Sequence, residues 1–192
     1  GDIAGMGADL FESYVDSIIA AMVIGTSVLT LTKIENGYVL LPLILAAAGI
    51  FSSIIGTFFV KASKTKPQKA LDYGIWVSSI VMVVLSYFII NYFMLKELNV
   101  FYAMLSGLIA GIIIGLSTEY YTSSSKKPTK EIAKAAKTGA GTNLIEGLSV
   151  GMLSTLIPVL AICAAIYTSF HFSGLYGIAI AAVGMLSTLG IT

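Results

Sequence analysis

Residues 38–60, YVLLPLILAAAGIFSSIIGTFFV, contain no charged side chain in 23 positions. A helix rising about 1.5 Å per residue needs about 20 apolar residues to cross a hydrocarbon core roughly 30 Å thick, and this stretch meets that length by itself. Working outward from it, further apolar segments occupy about 3–31, 74–95, 100–118, 139–170 and 174–192. The expected fold is therefore all-α: a polytopic transmembrane helix bundle of six spans, all belonging to a single transmembrane domain over 1–192. Pro158 lies inside the fifth span, where its missing N–H should kink the helix. Composition agrees, with 57% hydrophobic and 11% charged residues and a mean hydropathy of +0.93. Such a chain is not a soluble globular domain.

Charge sets orientation and removes one class of partner. Eleven lysines, no arginine and ten acids leave a net charge of +1, so no basic face exists to grip a nucleic-acid backbone. Lys61, Lys64, Lys66 and Lys69 follow the second span, and Lys126, Lys127, Lys130, Lys134 and Lys137 follow the fourth. The other three loops hold only Lys33 and Lys96. Cytoplasmic loops carry the basic excess, so an even serpentine with both ends in the cytoplasm is expected. The basic stretch Ser123–Lys137 reads as a solvated linker that anchors the start of span five at the headgroups. The chain lacks an initiator methionine and a basic leader, and we read it as an internal piece of a longer polypeptide.

Several residues have ordinary structural readings. Cys163, the one cysteine, is expected to be a small packing residue, and the single His171 a surface residue at the outer end of span five. Glycines at four-residue spacing, Gly107, Gly111 and Gly115 in span four and Gly147 and Gly151 in span five, suggest close helix approach. Tyr87-Phe88, Tyr120-Tyr121, Tyr167, Phe170 and Phe172 fit an interfacial aromatic belt.

The first span carries the chemistry. Asp2, Asp9 and Asp16 are spaced by seven, and Glu12 lies between the last two. At about 100° per residue the four carboxylates fall within roughly an 80° sector, in a stripe roughly 21 Å long. Acids inside a membrane helix are costly and mark ion paths by default. They cannot all stay ionised without cations, and no lysine of this chain lies deep enough to serve. Metal ions, transported cations, or Lys and Arg from other helices must do so. Gly1, Gly5 and Gly7 would let the start of this helix approach a neighbour or a bulky ligand.

The run Gly-Asp-Ile-Ala-Gly-Met-Gly-Ala-Asp-Leu-Phe at 1–11 resembles the membrane-integral, ion-pumping inorganic pyrophosphatases. So do Lys137-Thr138-Gly139-Ala140-Gly141-Thr142-Asn143-Leu144-Ile145, Tyr176-Gly177-Ile178-Ala179 and Gly184-Met185-Leu186-Ser187-Thr188. The resemblance covers essentially the whole chain. It implies a place as roughly helices six to eleven of about sixteen, in a bacterial or archaeal cell membrane.

It also implies roles. Asp2 matches a catalytic aspartate of the cytoplasmic hydrolytic centre, which helps orient the attacking water and the Mg2+-pyrophosphate complex. Asp9 matches a gate aspartate that pairs with a lysine and an arginine from helices outside this stretch. Glu12 stands where sodium-pumping members have glutamate; plant proton-pumping members have glycine there and a glutamate four residues later, where this chain has Asp16. Asp9 and Glu12 together are thus the expected Na+ site, with Asp16 along the transport path. Mg2+ is the implied cofactor, Na+ the transported and activating ion, and K+ an optional cofactor whose determinant lies elsewhere. The implied partners are pyrophosphate, membrane lipid, the rest of the same polypeptide, and a second copy of the chain meeting through span five. Other family acids are expected just before Gly1 and just beyond Thr192, so the stretch alone should be inactive.

Diphosphate is bound by carboxylates only through a bridging cation, and its hydrolysis by water needs no covalent nucleophile. The chief expectation is a primary pump exporting Na+, with a proton-pumping or dual Na+/H+ enzyme as the alternative. A non-hydrolytic cation transporter would use the same stripe, but has no need of an acid at the position of Asp2. Glu146, in span five, is read as an inter-helix hydrogen-bonding or dimer-contact residue, with Thr142 and Asn143 as polar glue.

Overall fold

The computed structural model describes residues 1–32, 37–60, 67–93 and 98–188. In lipid every backbone polar group must be satisfied inside its own segment, and the described chain is helical throughout, with no strand among the described residues. The helices are α1 (Asp2–Thr32), α2 (Gly37–Phe59), α3 (Pro67–Phe93), α4 (Leu98–Thr122), α5 (Lys127–Ala135), α6 (Ala140–Ser154) and α7 (Leu156–Leu186).

Five helical segments among the described residues are long and apolar enough to cross a membrane, one fewer than the six read from sequence. The difference arises at the end, where the expected fifth and sixth spans form a single run over Ala140–Leu186. That run is interrupted rather than divided. Its ladder weakens at Thr155, where the N–H reaches back only to Met152, one turn before Pro158. It breaks again at Ser173 and Gly174, whose φ of +58° and ψ of −146° suit only a residue without Cβ. The last four residues of the expected sixth span lie outside the described residues. So do Lys33, Lys61, Lys64, Lys66 and Lys96, on which part of the orientation argument rests.

The chain divides into two compact units. The first is Gly1–Ile109 with Ala165–Thr192. In it α2 packs between α1 and α3, around the fully buried Leu41, Leu45, Met82, Ile90, Met104 and Ile180. Buried serines bond carbonyls of their own helices, Ser52 to Gly49, Ser79 to Ile75 and Ser86 to Val83. The Ser52 hydroxyl also meets that of Ser78 at 3.3 Å, so these serines fill space beside a neighbouring helix and at this pair bridge α2 to α3.

Two junctions hold α1, α2 and the end of α7 together. In the first, the Tyr176 hydroxyl donates to the Tyr38 carbonyl at 2.8 Å, the two rings meet edge to face at 5.1 Å, and Gly25 lies so close that a Cβ there would strike the same carbonyl. The cause is Pro42, inside α2. It sits four residues beyond Tyr38 and has no N–H to give that carbonyl, so a donor from another helix supplies the bond. In the second junction, the Tyr14 hydroxyl donates to the Ala46 carbonyl at 2.8 Å and the Ser53 hydroxyl to the Ser187 carbonyl at 3.3 Å. A Cβ on Gly49 would lie 3.1 Å from the Ser187 Cα. The two junctions are eleven residues apart on all three helices, Gly25 to Tyr14, Tyr38 to Gly49 and Tyr176 to Ser187. That is about three helical turns, so each helix presents the same face twice.

The second unit, Ala110–Ala164, contains the end of α4, α5, α6 and the start of α7, with α5 packed on α6. Helix α5 occupies the stretch read as a linker, a correction considered further below. Cys163 is exposed in this chain. Of the spaced glycines, Gly107, in the first unit, meets a close neighbour: a Cβ on it would strike the Ala181 backbone. Gly115, Gly147 and Gly151 face open space, as do Gly1, Gly5 and Gly7. Within this chain, close approach falls instead at Gly25, Gly49, Gly107 and Gly184.

Candidate functional site

Helix α1 separates two environments. Its inner face, with Tyr14, Ala21 and Gly25, packs on α2. At about 100° per residue these positions lie roughly opposite Asp9, Glu12 and Asp16. All three acids are exposed, facing away from α2. The stripe read from sequence is therefore one continuous face of one helix. Asp9 and Glu12 are about 4.5 Å apart along the axis and Glu12 and Asp16 about 6 Å, one turn each. Asp2 opens the helix, and its side chain lies outside what the structure describes.

Nothing within the described residues neutralises this face. The one ion pair among them joins Lys127 and Glu131, at 3.5 Å on α5, and they form no group of three or more His, Cys, Asp or Glu able to hold a metal ion. The stripe can lend carboxylate oxygens to a cation, but the remaining ligands and counter-charges must come from outside the described residues.

A cavity of about 400 Å3 lies on the other side of α1, lined chiefly by Leu10, Phe11, Tyr14, Ile50, Ile54 and Leu186. The lining is largely apolar and lies away from the acids, so it is not the ion site. Sequence reading did not anticipate it, because its walls come from three helices distant in sequence.

In the second unit the motif at 137–145 builds the start of α6. Gly139 takes a φ of +139° that strains any residue with a Cβ. Thr142 bonds the Gly139 carbonyl at 2.9 Å and meets the Thr138 hydroxyl at 2.7 Å. Thr142 also donates to the carbonyl of Ala135, the last residue of α5, at 3.3 Å, so it both caps the start of α6 and ties it to α5. Asn143 Oδ1 is buried and has no hydrogen-bond partner among the described residues. Glu146 is half-buried one turn further on. His171 is exposed, as expected.

Long apolar helices with interior glycines at backbone contacts define a polytopic helical membrane protein. A family model described as "Inorganic H+ pyrophosphatase" matches residues 1–192, and the chain belongs to this family. It is 47% identical over 99% of its length to a Clostridium tetani protein described as a putative K(+)-stimulated pyrophosphate-energized sodium pump. It is 44% identical over 98% of its length to a K(+)-insensitive pyrophosphate-energized proton pump of Methanosarcina mazei. To the K(+)-stimulated pyrophosphate-energized sodium pump of Thermotoga maritima it is 34% identical over 94% of its length. The chain spans about 29% of the length of each of these relatives.

Proposed function

We propose that the protein containing this chain is a pyrophosphate-energised primary ion pump, hydrolysing Mg2+-pyrophosphate at the cytoplasmic side and exporting Na+. The observation that carries this reading is the unneutralised carboxylate face of α1. An acid every turn on an apolar helix, without a partner among the described residues, is an unfinished cation path. Family membership favours the hydrolytic reading over a passive transporter, because relatives matched over nearly this whole chain are named as pyrophosphate-energised.

In this reading Asp2, at the aqueous end of α1, contributes one carboxylate to the hydrolytic centre. Asp9 and Glu12 lend oxygens to a dehydrated Na+, and Asp16 lies further along its path. Mg2+ would neutralise the diphosphate and orient water. The described residues do not assemble a ligand set for it. Pairing of two copies through the fifth span and K+ stimulation belong to the same proposal, the latter supported by the names of the Clostridium and Thermotoga relatives.

Proton pumping is the second reading, favoured by the Methanosarcina relative, named as a proton pump, and by Asp16. The test is pyrophosphate-driven 22Na+ uptake and pH-gradient formation in inverted vesicles carrying the full-length protein. The proposal requires Na+-activated hydrolysis that Glu12→Ala weakens more than Asp16→Ala does. Sodium-independent proton pumping, or Na+ transport that survives Glu12→Ala, would transfer the assignment to the proton pump.

A further inference from the structure

Helix α5 is the feature that ion pumping leaves unused. It lies between two membrane-capable helices and is fixed to the first of them. The Thr129 hydroxyl donates to the Tyr121 carbonyl at 3.2 Å across eight residues, Pro128 is buried, and the Lys126 N–H bonds the Ser123 carbonyl at 3.1 Å in the intervening turn. Tyr120 and Tyr121 meet edge to face at 5.3 Å at the end of α4, the kind of residue that settles at headgroup level. The tether therefore holds α5 at the membrane boundary.

The helix has two faces. Pro128, Ile132 and Ala135 recur at helical spacing and are all at least partly buried, toward α6. Lys127, Lys130 and Lys134 recur at three- and four-residue spacing on the opposite side, with Lys126 and Lys137 flanking them, and all five are exposed. Glu131 answers one of them, as an exposed pair of little energetic weight. The other four have no carboxylate partner among the described residues.

We propose that the lysine face of α5 is a docking surface for lipids with anionic headgroups, so that this loop enriches such lipids beside the start of α6. Charge complementarity at headgroup height carries the assignment. A lysine near an anionic leaflet gains roughly five-fold in association, and three on one face act together. The proposal needs the loop at a membrane surface and is independent of whether the protein pumps Na+ or H+.

The experiment places a bimane fluorophore on the full-length protein through Ala133→Cys, an exposed α5 position, with the exposed Cys163 replaced by serine and any other reactive cysteine removed. The protein is reconstituted into phosphatidylcholine vesicles carrying equal small fractions of headgroup spin-labelled phosphatidylglycerol or phosphatidylcholine. Quenching by the anionic label should exceed that by the zwitterionic label at least about five-fold and fall toward equality at high salt. The variant K127Q/K130Q/K134Q should abolish the difference. Equal quenching by the two labels, or none by either because protein covers the helix, overturns the proposal. The labelled protein with its lysines intact decides the matter even if the triple variant fails to assemble. Failure of Na+ transport would leave this readout unmoved, so the two proposals fail separately.

Discussion

Tyr176→Phe removes one oxygen atom from the core of the first unit. Tyr176 and Tyr38 are 2% and 7% exposed, and the hydroxyl meets the Tyr38 carbonyl at 2.8 Å. Hydrogen bonds between membrane helices average only about 0.6 kcal/mol, because separated helices find other partners. This bond should exceed that average, for Pro42 denies the carbonyl its helical donor both when α2 is packed and when it stands alone in the bilayer. Removing the donor to a buried acceptor costs about 1–3 kcal/mol, and we expect about 1.5 kcal/mol here, or roughly ten-fold in the folding equilibrium. The assay is reversible unfolding of the full-length protein in mixed micelles of mild detergent and dodecyl sulfate.

The decisive comparison is a double-mutant cycle. Pro42→Ala restores an N–H four residues beyond Tyr38, so in that background Tyr176→Phe should cost less than about 0.5 kcal/mol. An equal cost in both backgrounds would refute the claim that the tyrosine substitutes for the proline's missing donor.

Gly107→Ala, whose Cβ would strike the Ala181 backbone, should destabilise by about 1–3 kcal/mol in the same assay. Gly115→Ala, with open space around it, should be neutral or stabilise by up to about 1 kcal/mol through helix propensity. For orientation, a cysteine replacing Ser124 should be labelled by an impermeant reagent only from the cytoplasmic side, and one replacing His171 only from outside; the reverse pattern would invert the topology. In the full-length protein Asp2→Asn should abolish pyrophosphate hydrolysis while leaving assembly intact, as followed by phosphate release and size-exclusion profile, since the residue stands at the first position of α1.

What could be read from the sequence followed from properties of single segments. A run such as 38–60 declares a span because the bilayer sets one length scale, and the stripe from Asp9 to Asp16 declares a face because helical spacing is rigid. Properties shared between segments were hidden. Glycines at four-residue spacing look alike, yet Gly107 lies against another backbone while Gly115, Gly147 and Gly151 do not, and the difference depends on a helix some seventy residues away. Helix α5 escaped because a hydropathy window sees only its lysines. The signals were a proline early in the helix and the Lys127–Glu131 spacing of four.

The Tyr38–Tyr176 junction had one visible trace, Pro42 in the middle of a span. A proline there always leaves the carbonyl four residues earlier without its donor, and in lipid that debt is met from another helix or by a polar side chain or water. The proline thus announces that a donor must come, and not from where. The acid stripe poses the same problem with charge in place of a hydrogen bond. Its geometry was complete in α1, whereas the described residues hold no ion pair and no metal-binding group that includes it, so the face is legible from one segment and its counter-charge is not.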